Sequence, residues 1–200
     1  RSTVSRIITN FIEAGMLVAE RGAKIVGLGA FTSVVGDGGV TVAESLPIAV
    51  TTGNSYTVAT AIEATERANT MMGRRTGESN LAVVGATGSI GRTASLVLGP
   101  SARSVMLVGR NVDRLEHVAA EVRAAGASDV RASTDVKASL ADADMVVTVT
   151  SAVDSVIQPS YLKPGAVVCD VARPRDVSVR VSKERPDVLV IEGGVVRVPG

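Results

Sequence analysis

A chain of 200 residues, 46% apolar and only 2% aromatic, is long enough for a substantial core, and its 20 glycines among many Val and Ala residues suit parallel strands under small-residue helices. A net charge of +1 gives no basic footprint for nucleic acid or an anionic membrane, and no apolar run reaches the length of a bilayer span. One cysteine excludes an intramolecular disulfide and one histidine leaves little for zinc; with no signal-like N-terminus, the expectation is a cytoplasmic α/β protein without a metal site. Residues 2–20 place Val4, Ile7, Ile8, Phe11, Ile12, Leu17 and Val18 near helical spacing, with Gly22 as a C-cap. Lys24–Gly29 reads as a short strand, Ala30–Ser33 as the loop leaving it, Gly36–Gly39 as a tight turn and Pro47–Val50 as a second strand. Asn54 or Ser55 is placed to cap a helix running from Tyr56 to Met72.

Two strands and two helices in the first 75 residues are too few for a self-sufficient α/β domain. The expectation is a partial α/β substrate lobe over residues 1–75, its remainder upstream of Arg1 or packed from elsewhere, and a start at Arg rather than Met fits a fragment. The polar stretch Gly73–Asn80 is the expected connector to a second domain over residues 76–200. There the pattern alternates: strands at 81–85, 104–108, 129–132, 144–149, 166–170 and 188–191, helices at 112–124 and 136–141, and a last apolar run at Val195–Val198. That alternation predicts a doubly wound parallel Rossmann sheet preceded by the partial lobe.

The first strand of the second domain runs into Gly85-Ala-Thr-Gly88-Ser-Ile-Gly91, and Ala94, Leu96 and Leu98 continue at helical spacing. Strand, glycine turn and helix is the context that gives such a motif meaning. Glycine lets the chain bend sharply and lets a pyrophosphate approach the backbone, whose N–H groups at the helix N-terminus hold the anion. Gly85, Thr87, Gly88, Ser89 and Ile90 are therefore read as a dinucleotide site; a turn that merely packs strand on helix is the alternative. NAD-preferring domains place Asp or Glu about 20 residues on, against the ribose 2′-hydroxyl. Here that slot reads Val108-Gly109-Arg110-Asn111, with Arg114 four residues later. A guanidinium forks onto a 2′-phosphate that a carboxylate would repel. Arg110, Asn111 and Arg114 thus predict NADPH, unless the two arginines are ordinary surface charges.

The nicotinamide end belongs over the carboxyl ends of the fourth and fifth strands. Thr150, Ser151 and Ala152 leave room there for a flat ring, and Asp170, Val171 and Arg173 complete that side. Arg173 and Arg175 are suited to an acidic substrate or phosphate, or alternatively to salt bridges with Asp170 and Asp176 in a solvated loop. In the N-terminal lobe, Phe31, Thr32, Ser33, Thr52, Gly53, Asn54 and Ser55 are candidate substrate-binding residues. The hydroxyl and amide groups among them suit hydrogen bonds to a carbonyl, with helix capping by Asn54 or Ser55 and a turn at Thr32 as the competing roles. Cys169 lies in an apolar strand and reads as a buried structural thiol, and His117 as part of a solvated helix face.

Gly27–Ser33, Thr51–Thr57, Val84–Gly91 and Val108–Asn111 together resemble the long-chain acyl-(acyl-carrier-protein) reductases, from about Ala23 to Gly194. The loop Asp170–Asp176, of the form Asp-x-x-x-Pro-Arg-Asp, is shared with glutamyl-tRNA reductases and is similar to shikimate-dehydrogenase-type domains. The resemblance implies a substrate lobe followed by an NADPH-binding Rossmann domain, and reduction of an acyl thioester, on acyl carrier protein or CoA, to an aldehyde through an acyl-cysteine. The family's nucleophilic cysteine lies beyond the matching stretch, so no catalytic residue is assigned in this chain. Two other readings stay open: a shikimate-dehydrogenase-like NADP-dependent dehydrogenase, which wants an acid/base that Lys24 supplies poorly, and a dinucleotide-binding module without chemistry. A homo-oligomer is compatible with each.

Overall fold

The computed structural model describes residues 3–29, 32 and 36–194. The chain divides into two compact units, Arg1–Ser55 and Tyr56–Gly200. Phe31, Ser33 and the apolar run Val195–Val198 lie outside the described residues.

The first unit contains helix α1 (Thr3–Glu20), strand β1 (Ile25–Leu28), helix α2 (Val40–Ser45) and strand β2 (Ala49–Thr52). The strands pair in parallel, Ile25 opposite Ala49 through Leu28 opposite Thr52. Leu28, Val42 and Leu46 are buried together, with Ile8, Phe11, Ile12, Val26, Ile48 and Val50 packed on them. A Cβ on Gly15 would collide with Leu46, so glycine lets α1 lie close to the chain that follows α2. Helix α2 corrects the expectation of a bare turn between the two strands. It is six residues long, too short to show a period, and follows Gly39 at φ 95°. The Asp37 carboxylate accepts from the Thr41 N–H at 3.0 Å and from its hydroxyl, tying down the first turn.

Helix α3 spans Asn54–Met71, starting two residues before the expected Tyr56. Asn54 and Ser55 therefore open the helix rather than cap it, and the Thr52 hydroxyl accepts from the Asn54 N–H at 3.4 Å.

In the second unit, β3 (Asn80–Val84), α4 (Ser89–Leu98), β4 (Ser104–Val108), α5 (Val112–Ala124), β5 (Val130–Ser133), α6 (Val136–Leu140), β6 (Met145–Thr148), β7 (Val167–Asp170), α7 (Val179–Glu184) and β8 (Leu189–Glu192) follow in order. The six strands form one sheet in the order β5-β4-β3-β6-β7-β8. Every pairing is parallel, as in Leu81 opposite Val105 on one side and Met145 on the other. This is the doubly wound order of the Rossmann fold, with the winding reversing between β3 and β6. Side chains alternate across β3: Leu81 and Val83 join α3, α4 and α5 on one face, and Ala82 and Val84 join α6, α7 and the loop through Ile157 and Leu162 on the other. Helix α7 also escapes the sequence pattern; its six residues, Val179–Glu184, are capped by Ser178, whose hydroxyl accepts from the Arg180 N–H.

Polar groups gather where the strands begin. The Asp144 carboxylate, 9% exposed, accepts from the Asn80 N–H at 2.9 Å and the Lys163 ammonium at 2.7 Å, and lies 3.7 Å from Arg74. Burial alone would push this carboxyl up. Lys163, the Asn80 N–H and Arg74 outweigh that and hold it below the ordinary aspartate value.

Candidate functional site

Ligands of open parallel sheets bind outside the carboxyl ends of the strands, at the point where the winding reverses. In this sheet that point lies between the ends of β3 and β6, and the chain there is glycine. Gly85 sits at φ 87°, and a Cβ on it would stand 2.6 Å from the Val149 carbonyl oxygen just past β6. Two requirements, a left-handed conformation and a backbone-to-backbone approach, coincide on this residue. Gly91, one turn into α4, is equally constrained, since a Cβ there would strike the Gly85 carbonyl. Gly88 differs: it is exposed, extended at φ −79°, and has nothing nearer its missing Cβ than the Gly85 oxygen at 3.4 Å.

The turn is fixed from behind. The Gly85 and Ala86 N–H groups both donate to the Val108 carbonyl at the end of β4, and the Gly88 N–H donates back to Gly85. No side chain caps α4, whose first residues are Ser89 and Ile90. Ser89 is exposed, whereas Ile90 packs on the core, leaving its backbone rather than its side chain for a ligand. Thr87 is half-buried, its methyl group close to Gly109 at the end of β4. The cradle that a pyrophosphate needs, a glycine turn opening an uncapped helix, is thus present with space where side chains would have filled it.

Beyond β4, Arg110 and Arg114 are both exposed, and no carboxylate among the described residues pairs with either. Asn111 has a structural duty: its Oδ1 accepts from the Arg114 N–H at 2.9 Å, capping α5. Asn111→Ala is expected to destabilise the protein by about 1 kcal/mol, the usual worth of such a cap. Chemical denaturation measures it, and no change would show that the cap is dispensable.

On the β6–β7 side, Thr150 is half-buried, Ser151 exposed and Ala152 intermediate. Thr150 donates its hydroxyl and its N–H to Asp176. Asp170 is buried at the end of β7 and accepts from the Ala172 N–H (3.0 Å) and the Val177 N–H (3.0 Å). Val171 belongs to the core. Arg173 and Arg175 share Glu192 at the end of β8, Arg173 at 3.4 Å. The alternative of a pairing with Asp170 and Asp176 is not the one formed, since the loop has turned both inward onto backbone groups and threonines. Asp176 and Thr148 also belong to this group, the Thr148 hydroxyl donating to the Asp176 carboxylate at 2.6 Å. Their signal was a hydroxyl ending an otherwise apolar strand and a second carboxylate after Pro-Arg, neither of which reveals a partner 28 residues away.

Cys169 is fully buried, its thiol against the Ala61 carbonyl at 3.8 Å, and burial pushes its pKa up. A buried, protonated thiol is no nucleophile, in line with the structural role expected of it. His117 is exposed on α5. In the first unit, Thr32 donates its hydroxyl to the Gly29 carbonyl at 2.6 Å, which makes a turn. Thr52, Gly53, Asn54 and Ser55 follow β2 into α3 and are half-buried or exposed.

Comparison with known proteins places the fold. The family model for shikimate / quinate 5-dehydrogenase matches residues 66–192. The long-chain acyl-[acyl-carrier-protein] reductase of Synechococcus elongatus is 34% identical over 151 residues, 73% of this chain and 41% of that protein. The aminotransferase PigE of a Serratia species is 33% identical over 201 residues, 98% of this chain but 22% of its own length. The chain therefore spans less than half the length of these curated relatives. Among solved structures, glutamyl-tRNA reductase from Methanopyrus kandleri superposes with a TM-score of 0.55 at 25% identity, over 68% of this chain and 34% of that one.

Proposed function

Because the chain belongs to the shikimate / quinate 5-dehydrogenase family, whose oxidoreductase-like Rossmann domain it shares, we propose that it binds NADPH and serves in reducing an acyl thioester to an aldehyde. The observation that carries the cofactor is the cradle at Gly85–Gly91. In this reading Gly85, Thr87, Gly88, Ser89 and Ile90 surround the pyrophosphate, Arg110 and Arg114 face the 2′-phosphate, and Thr150 to Ala152 with Asp170, Val171 and Arg173 border the nicotinamide. A bound nicotinamide supplies hydride. The chain's own contribution is to bind, orient and shield, because the residues described here include no exposed cysteine to carry an acyl group.

The thioester substrate rests on similarity to the long-chain acyl-[acyl-carrier-protein] reductase of S. elongatus. An aldehyde product also suits the aminotransferase relative, since an aminotransferase acts on a carbonyl carbon. Phe31, Thr32, Ser33, Thr52, Gly53, Asn54 and Ser55 are the substrate-side residues of this proposal, and acyl carrier protein or CoA the carrier. The family match favours a second reading, oxidation of a cyclic alcohol in the manner of a shikimate-type dehydrogenase. Incubating the full-length protein with NADPH and acyl thioesters, trapping aldehyde as a hydrazone, and separately with NADP and shikimate or quinate decides between them: aldehyde supports the first, NADPH formed from a cyclic alcohol the second.

Arg110→Ala is expected to weaken NADPH about tenfold, the worth of one charge-assisted contact, and to leave NADH unchanged. Isothermal titration measures both. Equal affinity for the two cofactors in the wild-type protein would remove the preference for NADPH.

A further inference from the structure

The carboxylate of Asp176 is completely buried, yet no step of dinucleotide binding calls for it. Burying a carboxylate is costly unless it is fully hydrogen-bonded, so its partners reveal its purpose. Its Oδ2 accepts from the Thr148 hydroxyl at 2.6 Å and the Thr150 N–H at 2.8 Å, and its Oδ1 accepts from the Thr150 hydroxyl. These contacts flank Val149. The Val149 N–H donates to the Val84 carbonyl at 2.9 Å, and the Val149 carbonyl oxygen is the atom lying against Gly85. One side chain thus fixes the strand end on which the glycine turn rests.

The same residue holds the far end of the loop. Its carbonyl accepts from the Val156 and Ile157 N–H groups at 2.8 and 3.0 Å. The stretch from Thr150 to Ile157 is therefore pinned at its start by the side chain of Asp176 and at its finish by the backbone of the same residue. Asp176 is held in turn by Asp170, which accepts from the Asp176 N–H at 3.4 Å and the Val177 N–H at 3.0 Å.

We propose that Asp176 is a positioning residue for the nicotinamide half of the cofactor: it sets the 150–157 loop and the Val149–Gly85 contact in advance, so that binding does not have to order them. The proposal rests on the dinucleotide reading given above. A preorganised wall on one side of the crevice affects the half of the ligand lying there and spares the other.

The probes are NADPH and 2′,5′-ADP, which carries only the adenine half, titrated calorimetrically into the full-length wild-type protein and variants whose thermal midpoints are also measured. Asp176→Asn reads the carboxylate itself. Thr148→Val removes one of its donors at a fully buried position, and Thr148→Ser restores the hydroxyl. Asp176→Asn is expected to weaken NADPH about tenfold and Thr148→Val about threefold, with Thr148→Ser near wild type and 2′,5′-ADP held within about twofold throughout. Equal losses for both ligands that follow the fall in thermal midpoint would reduce Asp176 to a general stabiliser, and unchanged NADPH affinity would also overturn the proposal. Wild-type protein that binds neither ligand would instead overturn the dinucleotide reading beneath it.

Discussion

Gly85→Ala is expected to cost the protein both binding of the proposed dinucleotide and part of its stability, whereas Gly88→Ala, three residues away, costs only the binding. At Gly85 the added methyl would stand 2.6 Å from one backbone oxygen and 2.9 Å from its carbon, on a residue at φ 87°. Neither atom belongs to a flexible side chain, so the turn must move. The left-handed conformation alone costs a β-carbon about 1 kcal/mol, and the collision brings the total to roughly 2–4 kcal/mol. With the turn displaced, dinucleotide affinity is expected to fall on the order of 100-fold, roughly 2.7 kcal/mol. Gly88 has ordinary φ and free space, so its alanine variant should keep the wild-type thermal midpoint while its methyl occupies the surface a pyrophosphate would approach. Thermal melts and NADPH titration of the pair test the site. A Gly88→Ala protein that binds as well as wild type would mean that the glycines serve packing alone.

The second large effect lies at the opposite ends of the strands. Asp144→Ala leaves the Lys163 ammonium, the Arg74 guanidinium and the Asn80 N–H facing a hole where their common acceptor was. Removing one partner of a buried ion pair costs about 3–5 kcal/mol, and because Lys163 and Arg74 are partly exposed, about 2–4 kcal/mol is expected. Since the folded carboxyl titrates below the ordinary value, its stabilisation is complete above the unfolded pKa of about 3.9 and is lost as pH falls through the lower folded one. The stability gap between wild type and Asp144→Ala should therefore be flat from about pH 8 to pH 5 and close below about pH 4. Urea denaturation across that range checks it; a gap that persists in strong acid would show that the loss is one of packing.

These two residues also show what the sequence makes legible and what it hides. Gly85 announces itself because its constraint is local: strand, turn and helix are consecutive, and the residue type is dictated by its own φ and its neighbours. Strands buried on both faces are legible for the same reason, as unbroken apolar runs such as Leu81–Val84 and Met145–Val147. Asp144 carries no such mark, and the Asp-x-x-x-Pro-Arg-Asp pattern flags Asp170 and Asp176 without revealing what they bind. Asp144 precedes β6, Asp170 ends β7 and Asp176 lies in the loop after it, and the meaning of each comes from groups brought to it by the fold: Asn80 and Lys163, the backbone beyond β7, and Thr148 at the end of β6 with Thr150 just past it. Helices α2 and α7 are hidden for a different reason, since six residues complete fewer than two turns and show no period. Asn54 shows how a good capping residue can instead open the helix as its first residue.

The strand order has a consequence for how the second unit is made. β3, in the middle of the sheet, receives one neighbour promptly from β4 but the other only from β6, across an interval that the Asn80–Asp144 hydrogen bond spans as 64 residues. During synthesis β3, β4 and β5 leave the ribosome with the backbone N–H and C=O groups along one edge of β3 unpaired, and no hairpin can cover them because every pairing is parallel. Closure must wait for the far half, so slow maturation is the expectation for the nascent chain, with the edge later occupied by β6 open to other strands until then.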